Sequence, residues 1–222
     1  METQIETDVK KSSPSLLGIF TSPVEQFEKI RTNPKIWIPL LIVSVIYIVG
    51  MALMAMTMTV DTLIKQGVPK ESAETILMGA RIGVVATGLL SPAFGALISS
   101  AIQLLVAKIA KAEVSFRQLF SMNTHIGFIS AIGLVLNMAV AAAIGLDGDT
   151  FITSIAGLLG KQGGVLSAIE VFSIWGMILT AIGLHKTAHF PKVLAWAISI
   201  IFFLIGIGFT LIGIMLQGAP SL

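Results

Sequence analysis

His185 and His189 stand four residues apart in His185-Lys186-Thr187-Ala188-His189, a spacing that lets two imidazoles on one helix face share a metal ion. The zincin motif H-E-x-x-H needs a glutamate directly after the first histidine as general base, and Lys186 holds that place. His125 falls on the same side of the neighbouring helical hairpin, so a three-histidine site is geometrically conceivable. No carboxylate is at hand to orient it, and histidines at a headgroup boundary are the plainer alternative. Glu170 is the one carboxylate within the long apolar stretches. If its helix starts near Gly164, it lies about 9 Å in at 1.5 Å per residue. An ionised group at that depth is costly unless paired or wet, which makes it a functional candidate. The alternative is a snorkelling or Arg81-paired group near the outer surface. Asn137 is uncharged and reads as an interhelical hydrogen-bonding residue.

Other chemistry is absent from the sequence. With no cysteine there is no disulfide framework, thiolate nucleophile or cysteine metal site. No G-x-S-x-G occurs, and Ser91 is followed by Pro92 rather than placed on a nucleophile elbow. No Walker A sequence is present to power transport. No series of acidic residues recurs across successive apolar runs, which weighs against a proton-driven pump. The expectation is a protein that is not an enzyme and carries no cofactor.

The elements that position these residues follow from composition. Among 222 residues, 55% are hydrophobic and only 12% charged, and mean hydropathy is +0.93. A soluble domain carries about 25% charged residues. This excludes an ordinary cytosolic enzyme and a basic-patch nucleic-acid-binding protein, and a net charge of +2 points to no anionic partner. A helix needs about 20 mostly apolar residues to cross a bilayer. Five stretches qualify: 36–60, 82–107, and runs within 118–146, 162–185 and 193–216. The fold class expected is an all-α integral membrane protein, a bundle of five transmembrane helices with short interfacial helices. The first apolar run begins after 35 residues and spans 25, too late and too long for a cleaved signal core, so it stays in the mature protein. Ten Lys and Arg residues flank one side of these spans and four the other, which puts the N-terminus in the cytoplasm.

Residues 1–14 read as a disordered cytoplasmic tail and 15–217 as the membrane domain. Ser22-Pro23-Val24-Glu25 carries helix-start signals, a capping box with proline at the first helical position, and Asn33-Pro34 stops that helix. Val24, Phe27 and Ile30 form its apolar edge, either docking a partner at the cytoplasmic interface or packing on the chain's own bundle. Pro69 opens a stripe of Ala73, Ile76, Leu77 and Ala80, and Asp149 is placed to cap a short helix with Phe151, Ile152 and Ile155. Ser115 and Gln118 make a second capping box that folds spans two and three into a hairpin. Pro92 should kink or break the second helix and free backbone carbonyls. Glycines in helices two, three and five allow close helix contact, and Gly79-x-x-x-Gly83 reads as packing within the chain.

Three segments carry a family likeness: Phe20-Thr21-Ser22-Pro23-Val24-Glu25-Gln26-Phe27 with Asn33-Pro34 and Trp37-Ile38-Pro39-Leu40; Ser115-Phe116-Arg117-Gln118-Leu119-Phe120-Ser121; and Val171-Phe172-Ser173-Ile174-Trp175-Gly176 through Leu179 to Gly183-Leu184. Over roughly residues 15–215 the chain resembles the YIP family, the Ypt/Rab-interacting-protein domain, in its bacterial form. The resemblance implies five membrane helices, a cytoplasmic N-terminus and no catalytic residues. Some bacterial members assist an ABC-type exporter that protects against a peptide toxin, which would make ABC-transporter subunits the partners here. The tail is much shorter than in eukaryotic relatives, so their GTPase-binding role is not carried over. The resulting expectation is a plasma-membrane accessory protein that binds other membrane proteins, with homo-oligomerisation left open. Two alternatives stand beside it: a channel or small-solute transporter using the broken second helix and Glu170, and an intramembrane metalloenzyme on the three histidines.

Overall fold

The structure is a computed structural model that describes residues 12–65, 67–146, 151–161 and 165–216. Among these residues it is all-helical, without strands. The helices are α1 (Gly18–Thr21), α2 (Pro23–Thr32), α3 (Trp37–Thr57), α4 (Val60–Lys65), α5 (Lys70–Ile109), α6 (Phe116–Ile144), α7 (Ile155–Leu158), α8 (Val171–Thr187) and α9 (Lys192–Leu216), with a 3-10 turn at Val165–Ser167 before α8. Four of them, α3, α5, α6 and α9, are long and apolar enough to cross a membrane. The fifth expected span is shorter. It forms α8, an apolar helix of 17 residues, about 26 Å long, because the chain before Val171 folds back into a loop instead of extending the helix.

The central helix is α6, with 44% of its most apolar window buried against 17% for α5 and α9. It is flanked by α3, α5 and α8, while α9 packs chiefly on α8. The capping box that starts α6 forms as expected: Gln118 N–H donates to Ser115 Oγ at 3.3 Å, and Ser115 N–H donates to Gln118 Oε1 at 2.8 Å. Two glycines on α6 and α8 allow close approaches in the core. A Cβ on Gly133 of α6 would lie 2.6 Å from the Phe172 ring, and one on Gly183 of α8 would lie 2.7 Å from Met122 Sδ. The outward surface is apolar, with Trp37 80% and Val193 83% exposed. Exposed apolar surface on this scale suits hydrocarbon, not water.

Several sequence expectations change. The stripe after Pro69 forms the first turns of α5, so the second span begins earlier than residue 82, in one continuous helix of 40 residues, about 60 Å long. Pro92 lies inside that helix without ending it. The lost donor to the Gly88 carbonyl is one bond in a long ladder, flanked by Ser91 Oγ donating to the Thr87 carbonyl at 2.6 Å. The α3 backbone also closes over this turn, since a Cβ on Gly88 would lie 3.2 Å from Ile48 Cα. The first expected capping box does not form: Ser22 makes no cap hydrogen bond, and its hydroxyl donates back to the Gly18 carbonyl at 3.4 Å. Gln26 organises this turn instead, accepting from Ser15 N–H at 2.9 Å and donating to Ser22 Oγ at 3.2 Å. Gly79, Gly83, Gly95, Gly206 and Gly208 have nothing within 4 Å of an added Cβ, so they do not serve packing within the chain. The proposed Asp149 cap lies outside the described residues.

Candidate functional site

Two polar sites stand out in this apolar molecule, one at each end of α8. At its N-terminus, the loop residues 151–161 and 165–170 lie beside α6 and α8. These two arms are joined by backbone bonds, Ile155 N–H to the Ile169 carbonyl at 3.0 Å and Val171 N–H to the Thr153 carbonyl at 3.2 Å. Asn137 on α6, 1% exposed, donates through Nδ2 to the Gly133 carbonyl and to Thr153 Oγ1, each at 2.8 Å. Its Oδ1 accepts from Thr153 N–H at 3.0 Å. Thr153 Oγ1 donates to Glu170 Oε1, and Glu170 Oε2 accepts from Ser173 N–H at 2.8 Å. Glu170 is therefore the N-cap of α8, its carboxylate at the positive end of the helix dipole. Only 8% of it is exposed, and that part faces a cavity of about 400 Å³ between α6, α8 and α9.

At the other end of α8, α2 crosses the bundle. Phe27 and Ile30 are fully buried there, against Leu119 and Met122 of α6 and Leu184 of α8. Thr187 Oγ1 donates to the Phe27 carbonyl at 3.2 Å, and Gln118 Nε2 donates to the Arg31 carbonyl at 2.7 Å. Lys186 pairs with Glu28 at 2.9 Å. Lys29 pairs with Glu25 at 2.6 Å, and this ammonium holds the Glu25 carboxyl below the usual carboxylate range. Around the Lys186–Glu28 pair lies a notch of about 300 Å³, lined also by Arg31, Thr32, His185 and His189. His185 Nδ1 lies 2.8 Å from the Phe190 carbonyl and donates to it. His189 is exposed in the left-handed region, φ 56°, a conformation that costs a non-glycine residue about 1–2 kcal/mol.

The sequence candidates distribute as follows. The three histidines do not converge. His125 is fully buried in α6, with Nδ1 on the Ser121 carbonyl at 2.7 Å, whereas His185 and His189 rim the notch. Among the described residues no three His, Asp or Glu side chains stand close enough to hold a metal ion. Glu170 and Arg81 do not pair. Arg81 Nη2 donates instead to the carbonyl of Met58, just past the end of α3, at 2.7 Å, the usual use of a cation beside helix C-terminal carbonyls. Asn137 does not make the expected interhelical bond; it pairs with a loop threonine and with the Gly133 carbonyl of its own helix. Of the edge Val24, Phe27 and Ile30, only Val24 is exposed, at 41%. The apolar side of α2 is spent on the chain's own bundle. Sequence reading missed Thr153 altogether, since a threonine in a loop carries no signal that it bridges two buried polar residues.

An all-helical fold among the described residues, with four helices of spanning length and composition and an apolar outer surface, marks a membrane protein. The chain belongs to the Yip1 domain family, whose model matches residues 17–214. It is similar to Membrane protein YknW of Bacillus subtilis (strain 168), with 36% identity over 220 residues, covering 93% of this chain and 95% of that one. No solved structure matches it.

Proposed function

We propose that this Yip1-domain protein is a multi-pass plasma-membrane accessory protein that binds other membrane proteins through its helices and performs no chemistry of its own. In this reading α3, α5, α6, α8 and α9 are five spans, and the N-terminus with the α2 notch lies in the cytoplasm, in keeping with the Lys and Arg bias. The observation that carries it is the open face of α5. Gly79 and Gly83, one helical turn apart, have nothing within 4 Å of an added Cβ, on a helix with 17% of its apolar window buried. In a bilayer, small residues at this spacing let a second helix approach closely and gain dispersion contacts that lipid tails do not supply. The family resemblance supplies the setting: subunits of an ABC-type exporter acting against a toxic peptide. Conduction through an interrupted second helix loses its basis, because α5 runs unbroken past Pro92.

The chain lacks cysteine, so Gly83→Cys carrying a photoactivatable thiol label gives one defined crosslinking position. The expected result is a protein adduct in native membranes, identified as an exporter subunit, and its loss in Gly79→Leu. Adducts with lipid alone, or a partner profile unchanged in Gly79→Leu, would remove the docking face. A self-adduct would identify a second copy as the occupant.

A further inference from the structure

We infer that the cavity between α6, α8 and α9 is a binding site for a single-tailed amphiphile with a positively charged, hydrogen-bond-donating head such as a primary ammonium. This is separate from the protein-docking face on α5 and does not depend on it.

Shape comes first. About 400 Å³ is within the range of small-molecule sites, roughly 300–1,000 Å³. Two glycines hold the space open. Gly176 on α8 and Gly206 on α9 both line it, and neither has any atom within 4 Å of an added Cβ. The walls come from both α6 and α9, yet α9 packs chiefly on α8. The α6–α9 side is therefore the side from which the cavity can be reached, and in a bilayer that side faces lipid. A ligand entering there needs an apolar tail, for which Ile126, Phe202, Phe203 and Ile207 provide the surface.

The polar lining then selects the head. Of the six hydroxyls in the wall, four have their protons committed to backbone carbonyls: Ser173 to Glu170 at 2.8 Å, Thr180 to Gly176 at 2.8 Å, Thr210 to Gly206 at 3.1 Å, and Ser199 to Met177. What each has left for a ligand is oxygen lone pairs. Glu170 adds a carboxylate whose two oxygens each accept one hydrogen bond from the protein, leaving further acceptor capacity toward the cavity. A lining whose committed hydroxyls offer acceptors around one buried carboxylate disfavours phosphate, sulfate and carboxylate heads, which are acceptors themselves. It suits an ammonium, which offers three donors and the opposite charge. The carboxylate is already positioned by Thr153 and the α8 amide, so a cation would find it preorganised.

The test uses the full-length protein in phosphatidylcholine nanodiscs, whose headgroup has no N–H donor. The probe is a photoreactive long-chain primary alkylamine, compared with the alcohol and the alkyl sulfate of equal chain length. Expected is saturable labelling of α8 and α9 peptides by the amine, at least about tenfold tighter than by the alcohol, with the sulfate weakest. Glu170→Gln should reduce the amine's advantage to about threefold or less. Gly206→Phe, a substitution on α9 that fills the cavity and replaces none of the hydrogen-bond partners of Glu170, should abolish labelling by amine and alcohol alike. Competition by added phosphatidylethanolamine would identify a lipid amine as the source, and competition by free alkylamines alone would identify a soluble amphiphile. Equal labelling by alcohol and amine, preference for the sulfate, or undiminished labelling of a folded Gly206→Phe protein would overturn the inference.

Discussion

Glu170→Gln separates the structural role of this carboxylate from its charge. In the native network Thr153 Oγ1 donates to Glu170 and accepts from Asn137 Nδ2, while Ser173 N–H donates to the other Glu170 oxygen. A glutamine can keep its Oε1 on the Ser173 amide and turn its Nε2 toward Thr153. The threonine hydroxyl then reverses and donates to Asn137 Oδ1, already 3.1 Å away. Every buried group remains paired, so the cost is the difference between a charged and a neutral helix cap, about 1 kcal/mol. Thr153→Val offers no such rewiring. It leaves one Glu170 oxygen and one Asn137 N–H without their partner, at about 1–3 kcal/mol for a buried unsatisfied group. Glu170→Leu removes the cap and strands the Ser173 amide, for about 2–4 kcal/mol by the same magnitudes.

The order of stability is therefore wild type, Glu170→Gln, Thr153→Val, Glu170→Leu. Unfolding in detergent, followed by intrinsic tryptophan fluorescence with Trp175 on α8 among the reporters, would read it as steps of about 2–4 °C per kcal/mol for a chain of this size. If Glu170→Gln melted as early as Glu170→Leu, the charge and not the hydrogen-bond pattern would hold the loop. If Thr153→Val were neutral, the bridge between Asn137 and Glu170 would carry no stability.

Gly183→Leu should detach α2, because its side chain meets Met122 and, at 3.2 Å, the Phe27 ring; limited proteolysis should then cut within 12–35 while the long helices survive, and an unchanged digest would refute the packing. Pro92→Ala should keep or raise thermal stability, since α5 is already continuous there and alanine restores a backbone donor, removing a penalty of up to about 3 kcal/mol; a destabilised variant would mean that the proline is needed. Single cysteines at Thr3 and Gly218, in a chain that has none, should differ in intact cells, the impermeant thiol reagent reaching only Gly218; labelling of Thr3 alone would invert the orientation. Glu25→Gln should leave α2 unaffected in acid and weaken it only above the Glu25 pKa, because a depressed pKa stabilises the folded state above the unfolded value and that stabilisation is lost as pH falls; a difference from wild type that persists in strong acid, by hydrogen exchange of the α2 amides, would assign the loss to something other than charge.

How much was legible beforehand depended on whether a residue's role is local. Burial from water is a bulk property of a segment, so apolar runs bounded by Lys35, Arg117 and Lys192 announce α3, α6 and α9 nearly to the residue. The Ser115–Gln118 box is likewise local, two side chains answering two amides within one turn. Ser22–Glu25 has the same spelling and fails, because the chain before it coils back as α1 and brings the Gly18 carbonyl to the serine hydroxyl. Asn137, Thr153 and Glu170 show the harder case. Sequence chemistry marks the first and last as costly to bury, but their solution lies in a threonine that the loop supplies to both. The same distinction governs the glycines. Gly133 and Gly83 look alike in sequence, yet Phe172 lies against one and nothing within 4 Å covers the other. A glycine that fits a neighbour inside the chain is accounted for by folding. One that faces open space in a helix keeps the backbone-entropy cost of about 1 kcal/mol without any internal contact to offset it, and a partner helix would supply such a contact.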